Sequence, residues 1–126
     1  MTRLYELYRC AACGNILGVF NKGNGMPVCC GSPMQLLAEK TSEEGKEKHL
    51  PVVTPAKGGI IVKLGSIPHP MEDDHFIEWI EVRKDHQVGI KGLKPGEAPS
   101  AFFSGYDTDV TARAYCNKHG LWAKKE

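Results

Sequence analysis

Four cysteines within the first 37 residues set the tightest limit on what this chain can fold into. Cys10 and Cys13 stand as C-x-x-C in RCAACGN, and after fifteen more residues Cys29 and Cys30 stand side by side in PVCCGSPM. Residues 1–37 hold no histidine and only short apolar runs, LYELY, ILGVF and MQLLA. A segment of fewer than about 40 residues cannot bury enough surface to fold by itself, so it needs a metal, disulfides or a second copy. The glycines of NKGNGMP suit a turn leading into Cys29.

MTRLYELYRC lacks the apolar run of a signal peptide, and no stretch reaches the ~18–20 apolar residues of a membrane span. The expectation is a cytoplasmic protein, in which a reducing environment disfavours a disulfide framework. The total of five cysteines, an odd number, points the same way. A C-x-x-C on one turn places two sulfurs on one side of an ion, and a second turn supplies two more, a tetrahedral set for zinc or iron. From this segment alone zinc is the commoner occupant. No βαβ pattern surrounds CAAC, which argues against a thioredoxin-like redox pair. The adjacent pair has lost the usual two-residue spacer, so the angle between its two sulfurs is expected to depart from ideal. Pro27 has no N–H to offer them.

Ala38 to Lys48, AEKTSEEGKEK, is charged and has no apolar periodicity, and reads as a linker or long surface loop. Beyond it the chain looks all-β. HLPVVTP, GGIIVKLGSI, HFIEWIEVRK, HQVGIKGL, SAFFSGY and VTARAYC are short, rich in β-branched and aromatic residues, and punctuated by Gly, Pro and Asp. FIEWIEV alternates imperfectly with period two. Six or so strands at this spacing suggest an immunoglobulin-like β-sandwich. The net charge of +1 gives no bulk field for nucleic acid or a membrane surface.

All five histidines lie in this second part, with the fifth cysteine. His49 lies in EKHLP, His69 and His75 frame HPMEDDH, and Cys116 and His119 form C-x-x-H in YCNKHGLW. A lone histidine is usually a surface or hydrogen-bonded residue, and His86, in RKDHQV, is read so. Four histidines and one cysteine, all beside turns, exceed the four ligands at which structural zinc closes. Four imidazoles and a thiolate suit a redox metal and leave one octahedral position open for substrate.

Taken together and in order, C-x-x-C…C-C, E-K-H-x-P, H-P-M-x-x-x-H and C-N-x-H-G-x-W resemble the desulfoferrodoxin family, the two-iron superoxide reductases, over essentially the whole chain. The resemblance implies a desulforedoxin-like domain over 1–37, with iron on Cys10, Cys13, Cys29 and Cys30. It implies an immunoglobulin-like domain over 38–126, with a second iron on His49, His69, His75 and His119 in the equator and Cys116 axial. Glu47 and Lys48 would lie on the loop over the open face, Lys48 attracting the anionic substrate and Glu47 filling the sixth site after product leaves. The implied reaction is one-electron reduction of superoxide to hydrogen peroxide. The implied partners are a second copy of the chain and an electron-donor protein such as rubredoxin. Two rival readings are a rubredoxin-like electron carrier without catalysis and a zinc-binding interaction protein.

Overall fold

The structure, a computed structural model, describes residues 1–42, 49–65 and 68–124. The described residues form twelve strands and no helix, and so no helix long and apolar enough to cross a membrane. The chain divides into two compact units, Met1–Ala38 and Glu39–Glu126.

In the first unit the three apolar runs each yield a very short strand: β1 (Leu7–Arg9), β2 (Ile16–Gly18) and β5 (Gln35–Leu36). β1 is the centre of this sheet, antiparallel to β2 on one side and β5 on the other. The buried cluster is only Tyr8, Cys10 and Met34, with Val19 and Cys29 against it. Two of these five side chains are cysteines, so the core of this unit is built around its thiols rather than beside them.

Two further strands, β3 (Val28–Cys29) and β4 (Ser32–Pro33), form a hairpin that no apolar pattern announced. Cys29 pairs with Ser32, so the loop is Cys30 and Gly31 alone. Both have positive φ, 53° at Cys30 and 75° at Gly31, the two left-handed positions that a type I′ turn demands. Glycine accepts this freely, but for Cys30 the left-handed region costs about 1–2 kcal/mol. Pro27, without an N–H, uses its carbonyl to accept from Met34 (2.9 Å).

The second unit is a sandwich of two antiparallel sheets. One holds β10 (Ser100–Ser104), β7 (Gly59–Leu64) and β6 (Pro51–Ala56) in that order, and the other holds β12 (Gly120–Ala123), β11 (Thr111–Cys116), β8 (Ile77–Lys84) and β9 (Gln87–Gly92). Three strands facing four is the immunoglobulin-like arrangement. Pro51 and Pro55 fit because β6 is an edge strand, where a missing N–H breaks no ladder. The core lies between the sheets: Ile60, Val62, Leu64, Ala101 and Phe103 from one, Ile77, Ile80, Val82, Ala112, Ala114 and Cys116 from the other.

The imperfect alternation of FIEWIEV has a local cause. Tyr115 pairs with Trp79 but Cys116 pairs with Ile77, so Glu78 is an extra residue in a β-bulge. The bulge resets the pleat, and Ile77 and Ile80, three apart, both reach the core with no exposure. The seventh strand, β12, escaped the sequence reading because GLWA is too short to display a period.

On the other face of the four-stranded sheet, Arg113 is 2% exposed and Glu81 6% exposed, so this pair is desolvated. The guanidinium donates to both Glu81 oxygens (2.8 Å each) and to Glu39 (3.0 Å). Glu39 and Lys40 therefore start the charged stretch as a docked segment, not as a free linker. Residues 43–48 of that stretch lie outside the described residues.

Two predictions arise from these elements. Glu81→Ala leaves the buried guanidinium with Glu39 but without its two Glu81 hydrogen bonds and lowers the stability of the second unit by about 2–3 kcal/mol in denaturant unfolding, while Glu81→Leu with Arg113→Met recovers most of the loss. Gly31→Val forces a β-branched side chain into the left-handed region and costs about 1–2 kcal/mol, read as faster metal release from the four cysteines. Gly23→Ala, at a glycine with open space around it and no positive φ, leaves that release unchanged.

Candidate metal centres

The type I′ turn resolves the awkwardness of adjacent cysteines. A left-handed Cys30 swings its side chain back toward that of Cys29, and the two sulfurs lie 3.9 Å apart. Cys13 Sγ lies 3.6 Å from Cys29 Sγ. A tetrahedral ion with metal–sulfur bonds of about 2.3 Å needs sulfurs about 3.8 Å apart. The adjacent pair thus meets the requirement, and the backbone at Cys30, rather than this edge of the tetrahedron, takes up the distortion expected from the missing spacer. The other half is a turn in which Gly14, at φ 83°, donates its N–H to the Cys10 carbonyl (2.9 Å). All four sulfurs lie within 4.8 Å of one another.

The electrostatics also call for an ion. The backbone N–H of Cys13, with that of Ala12 alongside, pulls the Cys10 thiol down to about 6. The Cys13 and Cys10 sulfurs push Cys30 up to about 12. Four sulfurs this close cannot all ionise on their own, whereas a cation at their centre deprotonates all four.

The second group collects at one end of the sandwich. His49 precedes β6, His69 and His75 lie in the connection from β7 to β8, Cys116 ends β11, and His119 lies in the turn to β12. That turn is three residues long and closes on Gly120, whose φ of 87° is the left-handed position that such a loop needs. The five donor atoms lie within 4.8 Å of one another.

The four imidazoles form a closed square. Ring centroids are 4.6 Å apart for His49 and His69, 4.9 Å for His69 and His75, 4.9 Å for His75 and His119, and 4.8 Å for His119 and His49. Each ring stands 70–81° from its neighbour, so the four are set like vanes. His49 Nε2 and His119 Nδ1 are 3.1 Å apart. Bonds of about 2.1 Å at right angles place neighbouring nitrogens about 3.0 Å apart. Cys116, fully buried in the sandwich core, brings its sulfur to 3.7 Å from His119 Nδ1. Four imidazoles set in a square with one sulfur close by make five donors, one more than the four at which structural zinc closes.

The protonation states suit a metal. His69 Nδ1 lies 2.6 Å from the Pro70 carbonyl, which can only accept, so Nδ1 carries the hydrogen and Nε2 presents a lone pair. His69 Nε2 and His75 Nε2 are buried with no hydrogen-bond partner among the described residues. A buried lone pair without a donor is costly, and a cation satisfies it. Burial lowers His69 to about 4, and burial also lowers His75 and His119, so these rings stay neutral as ligands must. Burial pushes the Cys116 thiol up, against the pull of the Lys118 and His119 backbone N–H groups. A metal ion removes that proton.

Nine of the eleven site residues expected from sequence thus fall into these two groups, His86 lies in an exposed turn away from them, and Glu47 and Lys48 lie outside the described residues. Sequence reasoning gave no role to Asn117. Its side chain accepts from the Phe76 N–H (2.9 Å) and donates to the Asp74 carbonyl (3.0 Å), gripping the residues on either side of His75. Its own N–H donates to the Phe76 carbonyl (3.2 Å). The sequence signal was its place in the motif C-N-x-H-G-x-W, where it was quoted without a role. Trp122, whose ring stacks on His49 at 4.6 Å, was likewise quoted without a role. Asn117→Ala frees the His75 segment at a cost of about 1–3 kcal/mol for the groups left unpaired. Its expected outcome is faster metal loss to a chelator from the histidine group, with the four-cysteine group unaffected.

Residues 41–125 match the family described as Desulfoferrodoxin, and residues 2–37 match Desulfoferrodoxin, N-terminal domain. A desulfoferrodoxin homolog of Archaeoglobus fulgidus is 52% identical over 97% of this chain and 98% of its own. The desulfoferrodoxin of Nitratidesulfovibrio vulgaris is 50% identical over 97% of both. Among solved structures, the superoxide reductase from Treponema pallidum superposes with a TM-score of 0.76 at 26% identity, covering 99% of this chain and 100% of that one. The four-cysteine group and the group of four histidines and one cysteine match a two-iron arrangement, and the chain belongs to the desulfoferrodoxin family.

Proposed function

We propose that this protein is a superoxide reductase, and that its chemistry takes place at the square of four imidazoles over the Cys116 thiolate. That square is the observation that carries the reading, together with the likeness to the superoxide reductase from Treponema pallidum. His49, His69, His75, His119 and Cys116 hold this iron, and Cys10, Cys13, Cys29 and Cys30 hold the other. The domain with four cysteines spans 1–37 and the catalytic sandwich 38–126. Ferrous iron, if bound by these five residues, would supply the one electron that the reaction needs.

The protein's own groups do the rest. Superoxide takes up one electron and two protons and leaves as hydrogen peroxide. His69, its hydrogen committed to Pro70, keeps a fixed lone pair toward the centre. Cys116, seated among core side chains, is shielded from water and from oxidation, while the Lys118 and His119 N–H groups temper its charge. Lys48 would draw the anion toward the centre, and Glu47 would serve as a further carboxylate donor there after product release. An external protein such as rubredoxin returns the electron. The protein acts in the cytoplasm as a homodimer, a reading supported by the first unit's exposed Leu17, Phe20, Met26, Val28 and Leu36, apolar surface that a second copy would cover.

The test is superoxide consumption by the iron-loaded protein, with peroxide formed and no matching oxygen evolution. Cys116→Ser should abolish this consumption and the thiolate–iron absorption band of the histidine site, while the band of the four-cysteine site persists. Iron in both sites without superoxide consumption would leave an electron carrier, and a colourless protein containing only zinc would leave an interaction protein. Lys48→Ile should lower the bimolecular rate at low salt, with the difference shrinking as salt rises past about 0.1 M, where the screening length falls to about 10 Å.

A further inference from the structure

Lys40 lies in a run of charged residues that composition alone would leave in solvent. Its backbone, however, is held. The Lys40 N–H donates to the Leu121 carbonyl (3.0 Å) and its carbonyl accepts from the Ala123 N–H (2.8 Å), which makes Lys40 the parallel bridge partner of Trp122 along the outer edge of β12. That register carries the side chain over the β11–β12 turn. Nζ donates to the His119 carbonyl at 2.7 Å and lies 5.2 Å from the centroid of the Trp122 ring. A Cβ at Gly120 would lie 3.7 Å from the same ammonium, an ordinary contact distance, so the ammonium packs directly against this turn.

The Trp122 ring is stacked on His49, 4.6 Å away and inclined by 15°. One ammonium therefore reaches His119 directly and His49 through a single ring. These two histidines are adjacent corners of the square, with ligand nitrogens 3.1 Å apart. A surface lysine with a free backbone would let its head wander into water. Here two main-chain hydrogen bonds fix the stem, and a carbonyl and an aromatic face fix the head.

We infer that Lys40 is a positioning residue of the histidine-rich centre, its ammonium holding the His119 turn against the Trp122–His49 stack and setting a fixed positive charge beside the bound metal. The inference rests on the iron reading of this group, but not on its activity toward superoxide. A positive charge close to a redox metal favours the reduced state, because reduction lowers the net positive charge of the site. Lys40 thus acts on both the shape of the square and its readiness to stay ferrous.

The test compares iron-loaded wild-type, Lys40→Met and Lys40→Arg proteins by midpoint potential and by the thiolate–iron absorption band, with the four-cysteine site as internal reference. Lys40→Met keeps the aliphatic stem and removes the charge and the donor. It is expected to lower the potential of the histidine site, displace its band and speed chelator removal of cobalt(II) loaded at that site about fivefold, the loss of one modest hydrogen bond. Lys40→Arg is expected to restore all three. Wild-type values of potential and band in a folded Lys40→Met protein would overturn the inference, as would an equal defect in Lys40→Arg. A change confined to the salt dependence of superoxide capture would also overturn it, since that is steering, not positioning. If the loaded protein were inert toward superoxide, the proposed function would fail while potential, band and cobalt release still decided the role of Lys40.

Discussion

Buried lone pairs that converge on a point with no proton to satisfy them are the constraint on which this structure turns. At one end of the sandwich His69 Nε2 and His75 Nε2 are sealed from water and lack partners among the described residues. In a hydrogen-bonded interior such groups are liabilities. Held as a square with a thiol close by, they become an affinity for a cation. In the first unit, four sulfurs within 4.8 Å of one another cannot all ionise without a cation, and the buried cluster of apolar side chains around them is small. There the cation also completes the core.

The two groups use the same local device to different ends. Tight turns with left-handed residues place the ligands: Cys30 and Gly31 in the first unit and Gly120 in the second, at φ 53°, 75° and 87°. In the first unit this turn and the Cys10–Gly14 turn bring four sulfurs together, enough to fill a tetrahedral ion. In the second, five donors are spread over the ends of five strands, β6, β7, β8, β11 and β12, and five donors are one short of an octahedral set. A bulge at Glu78 adjusts the register beside Cys116, and Asn117 ties the His75 segment to the Cys116–His119 turn. The rigid sandwich makes this precision possible, because each ligand lies at or within a few residues of a strand end.

Burial separates the two groups as well. Cys13 and Cys30 are exposed, whereas Cys116 is sealed in the apolar core with Ile77 and Ala114. Exposed sulfurs occur in the four-cysteine group alone, where Cys10 is the buried member, and the single sulfur of the histidine group is fully buried. A sulfur next to a site of oxygen chemistry is safer where water and oxidants cannot reach it.

Sequence alone named the candidate ligands, because donor chemistry is a matter of residue type and the motifs lie in short local stretches. The grouping of four cysteines, the set of four histidines with Cys116, and the all-β character of the second part were each legible from spacing and composition. Tertiary structure decided what depends on register and long-range approach. It decided that the imidazoles form a square, that a type I′ turn lets adjacent cysteines face one ion, and that a bulge explains a broken alternation. It also recruited Asn117, Trp122 and Lys40, whose roles come from what lies across the fold from them. Lys40 is the extreme case: nothing local distinguishes it from the charged residues around it, and only its pairing with Trp122, 82 positions further along the chain, brings it to the metal site.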